Sequence, residues 1–179
     1  MPVLEALWKE KKVGAIGVSN FGREELEQAK EALSEAPIAV NQVRYNLFDR
    51  ADADPIREYC RAEGILIEAY TPLGRGLLTG RYLDTKRVPE GVRRFARSVV
   101  EPDRFPAIQA RARELRTLAA EANVPLASLA LHWVRRQGAV PIFGASRPDQ
   151  VDSNLAAWAA RPADDVLARA DAIARGDGA

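Results

Sequence analysis

The sequence has very little cysteine, histidine or methionine, with one of each in 179 residues. The single cysteine, Cys60, excludes an internal disulfide and fits a reducing compartment. No run reaches the roughly 18 apolar residues that a membrane span needs, and the opening MPVLEALWKEKK lacks the apolar stretch of a signal peptide. The net charge is only +1, so no overall field favours nucleic acid or a membrane surface. We therefore expect a cytoplasmic protein that binds neither, and we predict no metal site.

What the sequence does contain is typical of one globular domain with a sizeable core: 47% apolar and 28% charged residues. Four short apolar runs, rich in Val, Ile or Ala and close to turn or breaker residues, predict strands of a buried parallel sheet. These strands are Val13–Val18, Pro37–Val43, Ile65–Tyr70 and Ala139–Phe143. The predicted helices are Val3–Lys11, Arg23–Glu35, Ile56–Glu63, Ile108–Ala122, Leu126–Gln137, Pro148–Ala159 and Asp164–Ala174.

Strands that alternate with helices predict an α/β fold with parallel strands and right-handed crossovers. Asp54-Pro55 predicts a helix start, with Asp54 as the N-cap and Pro55 at the first helical position. Residues 71–105 form one long irregular stretch, and such a stretch inside a compact domain is usually functional or mobile.

Polar side chains occur where each predicted strand ends, and in parallel α/β folds this edge forms the binding face. Asn20 and Gln42 each offer a hydrogen-bond donor and an acceptor, which a nicotinamide carboxamide needs, and Tyr70 offers a flat ring to stack on. A second interpretation stays open, in which Asn41 and Gln42 merely satisfy backbone groups and Tyr70 packs in the core.

The segment after the third strand is locally basic, with eight Arg or Lys against four Asp or Glu in residues 71–105. Its sequence TPLGRGLLTGR offers glycine backbone and two arginines, a combination that suits a pyrophosphate, although a merely solvated loop remains possible. After the fourth strand, Ser146 predicts an N-cap with Asp149 in a box-like arrangement. A helix N-terminus beside Arg147 suits a phosphate, and the 2′-phosphate of NADPH is the obvious candidate.

At these residues the sequence resembles the aldo-keto reductase family along nearly its whole length. The segments that carry the resemblance are KVGAIGVSNF, VNQVRYNLFD, GILIEAYTPLGRGLLTGRY and VPIFGASRPDQVDSN. LGRGLLTGRY and GASRPDQ suggest the branch that includes bacterial general reductases and potassium-channel β subunits. Members are (β/α)8 barrels that bind NADP(H) without a Rossmann motif, so the resemblance implies that residues 1–179 form one partial domain, the C-terminal half of such a barrel with about four βα units.

The resemblance also implies roles for individual residues. Ser19, Asn20 and Gln42 would hold the carboxamide, and Tyr70 would stack on the nicotinamide. The pyrophosphate would lie against Thr71, Pro72, Leu73, Gly74 and Arg75, with Arg81 as a further basic contact. The adenosine phosphate and ribose would meet Gly144, Ser146, Arg147 and Gln150, and Asn154 would reach the adenine. Ser153 departs from the family pattern, which commonly has Glu there.

The family reduces aldehydes and ketones with hydride from NADPH and a tyrosine acid tuned by Asp, Lys and His. Those four residues belong to the first half of the barrel, and nothing in this sequence matches them. We therefore expect the chain to begin in the helix before the fifth strand, to contain no catalytic residue and to be inactive alone. It would act on a small carbonyl compound only if completed by an N-terminal half. Two alternatives remain: a non-catalytic NADP-binding or regulatory module, and a truncated inactive gene product.

Half a barrel leaves two open strand edges, so we expect self-association, pairing with a separately encoded N-terminal half, or low stability. His132 lies inside a helix and is expected to be a surface or helix-packing residue, and Cys60 is expected to be buried. Glu68 alternates with Tyr70 along the third strand and so is expected to face the barrel interior, where a carboxylate needs a partner. Arg44 is the nearest candidate partner by strand order, although its layer does not match well.

Overall fold

The computed structural model describes residues 1–85 and 105–176. Within these ranges the chain forms four β-strands, which alternate with seven α-helices. The strands are β1 (Ile16–Ser19), β2 (Ile38–Arg44), β3 (Leu66–Tyr70) and β4 (Ala139–Ile142). The helices are α1 (Pro2–Lys9), α2 (Arg23–Glu31), α3 (Arg57–Ala62), α4 (Phe105–Glu121), α5 (Leu126–Arg136), α6 (Pro148–Ala159) and α7 (Asp164–Arg175). Two short 3-10 helices cover Asp54–Ile56 and Gly74–Thr79.

The four strands form one parallel sheet in the order β1-β2-β3-β4, which confirms the predicted α/β fold. Because all strands run the same way, their carboxyl ends meet at one edge of the sheet. The register places Gln42 opposite Ser19 on one side and opposite Glu68 on the other. The outer edges of β1 and β4 pair with no other strand of the described residues.

One face of the sheet packs against helices and forms the core. Alternate strand residues such as Val43, Ile67, Ala69 and Ala139 are buried there. Helix α5 contributes an unbroken buried run from Ser128 to Val134. Burial of this apolar surface is the main contribution to folding free energy.

The opposite side of the sheet is much more exposed, and we call it the open face. By strand alternation it carries the side chains of Ser19, Val40, Gln42, Arg44, Leu66, Glu68, Tyr70, Val140 and Ile142. Leu66, Val140 and Ile142 remain between 39% and 45% exposed, which is unusual for large apolar strand residues. The open face therefore has an apolar part and a polar part, and the polar part lies towards the carboxyl edge.

Most element boundaries agree with the sequence predictions within three residues, but α2 ends at Glu31 rather than Glu35. The Glu5 carboxylate of α1 accepts hydrogen bonds from the backbone N–H groups of residues 34–36, at 2.7–3.1 Å. Those amides are therefore not available to continue α2. In the predicted irregular segment, residues 74–79 form a 3-10 helix, and residues 86–104 lie outside the described residues.

The predicted N-cap at Asp54 is wrong. The 3-10 helix includes Asp54, and the residue before it, Ala53, has no side-chain cap. The Asp54 carboxylate instead accepts a hydrogen bond of 2.6 Å from the buried Tyr45 hydroxyl. A buried hydroxyl needs an acceptor from the protein, whereas solvent-accessible N–H groups at a helix start can bond to water. The Asp54 carboxylate therefore pairs with Tyr45 rather than capping the helix.

Cys60 is buried, as predicted, and His132 is buried as well. His132 stacks on Trp158, with ring centroids 5.0 Å apart and planes 11° apart. One ring nitrogen of His132 lies 3.0 Å from the Trp158 carbonyl oxygen. These contacts confirm that His132 is a packing residue. No helix of the described residues is long and apolar enough to cross a bilayer.

Candidate functional site

Four of the predicted site residues lie together at the carboxyl ends of β1, β2 and β3. The Gln42 carbonyl oxygen accepts hydrogen bonds from the Ser19 hydroxyl (3.0 Å) and from the Asn20 backbone N–H (2.9 Å). The Asn20 side chain donates to the Ser19 hydroxyl oxygen at 3.1 Å and accepts from the Tyr70 hydroxyl at 3.0 Å. One hydrogen-bonded network thus joins the Ser19, Asn20 and Tyr70 side chains to the backbone of β2.

The Asn20 backbone adopts the left-handed region with φ of 59°, which asparagine tolerates better than most residues. Asn41 stabilises the turn that follows, because its side chain bonds both backbone groups of Phe21, at 2.8 Å and 3.4 Å. Asn41 is fully buried on the helix-covered side of the sheet. For Asn41, then, the interpretation that it satisfies backbone groups is correct.

Gln42 behaves differently from Asn41, because its side chain lies on the open face. Its amide nitrogen donates to Glu68 Oε2 at 3.1 Å across the β2–β3 pairing. Arg44 does not pair with Glu68, so that suggested pairing is wrong. The register sets Arg44 opposite Tyr70, one layer higher, where its guanidinium pairs with Asp49 at 2.9 Å and with Asp52.

The segment after β3 forms a turn with several residues in the left-handed backbone region. Thr71 and Arg75 both have positive φ, of 54° and 56°. At Gly76 φ is 96°, and a Cβ there would lie 3.2 Å from the Tyr82 ring, so this turn favours glycine. Pro72 and Leu73 are buried and anchor the turn.

Asn46 also holds this turn, because its buried side chain donates to the Thr71 carbonyl oxygen at 3.1 Å. The Thr71 hydroxyl is buried and has no hydrogen-bond partner in the described part of the chain. Gly74 lies at the start of the 3-10 helix, next to Arg75. Arg81 is exposed, and its guanidinium lies over the Tyr82 ring, 5.6 Å from the centroid.

The second group of predicted site residues follows β4. Tyr70 and Ile142 are paired across β3 and β4, so this group begins at the same edge of the sheet, with exposed Gly144 two residues beyond the end of β4. The predicted cap at Ser146 is wrong, because the residue before α6 is Arg147 and it has no side-chain cap.

The side chains around the start of α6 pair with one another instead. Ser146 donates through its backbone N–H (2.8 Å) and its hydroxyl (3.1 Å) to the Gln150 side-chain oxygen. Arg147 forms two hydrogen bonds with Asp149, at 2.9 Å and 2.8 Å, which lower the pKa of that carboxyl. All of these residues except half-buried Gln150 are exposed, so a ligand can displace the pairs at small cost.

Asn154 is 93% buried on α6, being only 7% exposed, yet no described residue bonds to its side-chain amide. A fully buried polar atom without a partner is costly, and native proteins usually satisfy such groups. The Thr71 hydroxyl is such an atom among the described residues, and it and the Asn154 amide lie at two of the places where the sequence predicts ligand contacts. The residues present therefore fit a dinucleotide with polar groups at both positions. Among the described residues, no group of three or more His, Cys, Asp or Glu is arranged to hold a metal ion.

The ligand contacts predicted from the sequence did not include three residues that shape this site: Asn41, Asn46 and Glu68. Asn41 and Asn46 bond the backbone of the two turns that carry Asn20 and Thr71. Their burial was the missing information, since an exposed asparagine in the same segment would have no such role. Glu68 was expected to face the barrel interior, but its partner depended on the register of the strands.

Comparison with known proteins decides the family. The aldo/keto reductase family profile matches residues 1–175. The chain belongs to the aldo/keto reductase family. Relatives include an NADH-specific methylglyoxal reductase of Escherichia coli, 31% identical over 87% of this chain and 47% of its own length. An NADPH-dependent alpha-keto amide reductase of Saccharomyces cerevisiae is 26% identical over 83% of this chain and 40% of its own length.

The aldo/keto reductase fold is also evident in solved structures. A glycerol dehydrogenase from Gluconobacter oxydans superposes with a TM-score of 0.81 and 30% identity, over 95% of this chain and 51% of that protein. The chain therefore spans about half the length of the relatives that it matches. The four-stranded parallel sheet with its two unpaired edges is consistent with half of a barrel.

Proposed function

We propose that this chain is the cofactor-binding half of an NADP(H)-dependent aldo/keto reductase. The observation that carries the proposal is the convergence of the Ser19 hydroxyl, the Asn20 amide and the Tyr70 phenol at the carboxyl edge of β1–β3. The Gln42 side chain lies beside them on the open face, because Gln42 is the register neighbour of Ser19. The buried Thr71 hydroxyl, which has no hydrogen-bond partner among the described residues, supports the same function. Family membership makes a nicotinamide dinucleotide the natural ligand for this arrangement.

In this proposal Ser19, Asn20 and Gln42 hold the nicotinamide carboxamide, and Tyr70 stacks on its ring. The turn formed by Thr71, Pro72, Leu73, Gly74 and Arg75, together with Arg81, contacts the pyrophosphate. Gly144, Ser146, Arg147 and Gln150 bind the adenosine phosphate and ribose, and Asn154 bonds the adenine. When bound, the cofactor supplies a hydride to the carbonyl carbon of an aldehyde or ketone.

The residues of this chain bind and orient the cofactor rather than transfer the proton. The Tyr45 hydroxyl is buried and donates to Asp54, and burial is the main cause that raises its pKa. His132 is stacked in the core. We therefore propose that the acid comes from another segment or chain that completes the barrel, and that the carbonyl substrate binds only then. The single cysteine and the family membership favour action in the cytoplasm.

The preference for NADP(H) over NAD(H) rests on Arg147 and Ser146. An exposed guanidinium next to the start of α6 can bind two oxygens of the 2′-phosphate. To do so it must leave Asp149, and because both residues are exposed the exchange costs little. The two relatives named above differ in this preference, so the choice between cofactors needs a direct test.

The test is calorimetric titration of the 179-residue chain with NADPH and, separately, with NADH. We expect saturable binding with NADPH the tighter ligand. Arg147→Ala should weaken NADPH binding roughly 10- to 100-fold, the value of a charge-assisted contact, and leave NADH unchanged. Arg161→Ala removes an equally exposed arginine after α6 and is the matched control. Absence of saturable binding by either cofactor would overturn the proposal.

A second candidate is a binding or regulatory module that holds cofactor without chemistry. It is favoured because the described residues form a binding network at the carboxyl edge of the sheet, and we assign none of their tyrosines as the general acid. An aldehyde-reduction assay on the same NADPH-loaded sample separates the two. Turnover that appears only after a complementing half is added supports the enzyme, whereas binding with no turnover in either case supports the module.

A further inference from the structure

The Gln42 side chain has one hydrogen-bond partner among the described residues, the Glu68 carboxylate. The two residues are direct neighbours in the β2–β3 register and both lie half-buried on the open face. The Gln42 amide nitrogen lies 3.1 Å from Glu68 Oε2. No described residue donates to the Gln42 side-chain oxygen, so that oxygen is available to a ligand.

A primary amide can be turned by 180° to exchange its oxygen and nitrogen, and only its partners decide between the two orientations. An ionised carboxylate accepts hydrogen bonds and never donates them, so it attracts the nitrogen and repels the oxygen. Glu68 therefore leaves Gln42 one orientation, with the nitrogen towards Glu68 and the oxygen directed elsewhere. A missing partner would impose no such choice, and a partner amide, which can either donate or accept, would allow both orientations.

We propose that Glu68 is a positioning residue, which fixes the Gln42 amide so that its oxygen accepts a hydrogen bond from the carboxamide NH2 of the nicotinamide. This inference rests on the proposed function. It adds a residue that does not contact the cofactor itself but orients Gln42. It also identifies the Gln42 side-chain oxygen as the atom that accepts the hydrogen bond from the carboxamide NH2.

The neighbouring amide supports this assignment because it is fixed in a complementary way. The Tyr70 hydroxyl donates to the Asn20 side-chain oxygen, and the Asn20 nitrogen donates to Ser19. The Asn20 oxygen is therefore already engaged, while its nitrogen retains a second hydrogen. Asn20 is left as a donor and Gln42 as an acceptor, which together match the carbonyl and the NH2 of a carboxamide.

Other roles for Glu68 lack support on the open face. Arg44, the cation nearest along the strands, is held by Asp49 and Asp52 one layer higher. Val140, the β4 neighbour of Glu68, is apolar and offers no partner. The Gln42 amide is thus the one hydrogen-bonding group that the described residues bring to this carboxylate.

The experiment measures NADPH and adenosine 2′,5′-bisphosphate binding to Glu68→Ala, Gln42→Ala and the double variant, all in the 179-residue chain. Adenosine 2′,5′-bisphosphate lacks the nicotinamide, so a positioning role leaves its affinity unchanged. Glu68→Ala should weaken NADPH about 3- to 10-fold, the worth of one neutral hydrogen bond. Because Glu68 acts through Gln42, the double variant should bind NADPH no more weakly than Gln42→Ala alone. Glu121→Ala, which removes an exposed carboxylate from α4, is the charge-matched control.

Each outcome has one meaning. A nicotinamide-specific and non-additive loss supports the positioning role, and Glu68→Gln should give a smaller loss, because an amide can still accept the hydrogen bond. Unchanged NADPH binding by Glu68→Ala overturns it, as do equal losses for both ligands or additive losses in the double variant. If the unaltered chain binds neither ligand, the proposed function has failed and this inference falls with it.

Discussion

Asp171 on α7 connects three elements of the core, and removing its carboxylate provides a sharp test of the packing. It accepts a hydrogen bond of 2.7 Å from the Trp133 indole N–H. It also pairs with Arg50 at 2.8 Å and with Arg175 at 3.1 Å. The Arg50 guanidinium in turn lies over the Trp133 ring, 4.4 Å from the centroid.

The expected cost follows from what Asp171→Ala leaves behind. Trp133 is completely buried, and its N–H would lose a charged acceptor, at a cost of about 1.5–3 kcal/mol. The Asp171 side chain is 26% exposed, so solvent screens its ion pairs and they add at most about 1 kcal/mol. We expect a total loss of about 2–3 kcal/mol, which for a chain of this length lowers Tm by roughly 5–10 °C.

Urea unfolding followed by circular dichroism measures the loss directly. Asp171→Asn keeps an acceptor for the indole but removes the charge, so it should cost about 1 kcal/mol. Asp165→Ala, an exposed aspartate in the first turn of the same helix, should cost less than about 1 kcal/mol. A loss below about 0.5 kcal/mol for Asp171→Ala, or one no larger than that of Asp165→Ala, would refute the reasoning.

The dependence on pH gives a second check. Burial by itself raises the pKa of Asp171, but the bonds to Trp133, Arg50 and Arg175 outweigh it, so the pKa lies below the ordinary value of 3.8. A lowered carboxyl pKa stabilises the fold above the unfolded-state pKa and loses that effect as the pH falls through the folded-state pKa. The difference between the unaltered chain and Asp171→Asn should persist at pH 5 and shrink only below about pH 4.

Two further predictions concern α1 and the open face. The Glu5 carboxylate, bonded chiefly by the backbone N–H groups of residues 34–36, has its pKa lowered from 4.5 to about 2. Glu5→Gln should therefore lower Tm at pH 7, and this difference should fade as the pH falls from about 4.5 towards 2, whereas exposed Glu10→Gln has little effect. The exposed apolar part of the open face and the unpaired strand edges should make the chain self-associate, measured as a light-scattering mass that rises with concentration. Val140→Thr and Ile142→Thr should shift the mass towards the monomer, and a monomer at every concentration would contradict this expectation.

The fold was largely predictable because local patterns and tertiary structure agree. Short apolar runs between helical segments specified four parallel strands, and α6 begins and ends where its pattern predicts. The two predicted caps failed for a common reason. In each case the expected cap residue bonds a side chain that the capping rule does not consider. Tyr45 takes the Asp54 carboxylate, and Gln150 takes the Ser146 backbone and hydroxyl.

The polar side chains at the strand ends could be predicted to lie together, because parallel strands place all their carboxyl ends at one edge of the sheet. This holds for any packing of the helices. The sequence by itself thus determined the parallel α/β fold, the family and the side chains that converge on one edge. Only the tertiary structure decided which groups pair there. Asn41 faces the helices and Gln42 the open face because strand residues alternate, and Glu68 meets Gln42 rather than Arg44 because the register of β2 and β3 aligns them. Register arises from long-range pairing and packing, which no local pattern encodes.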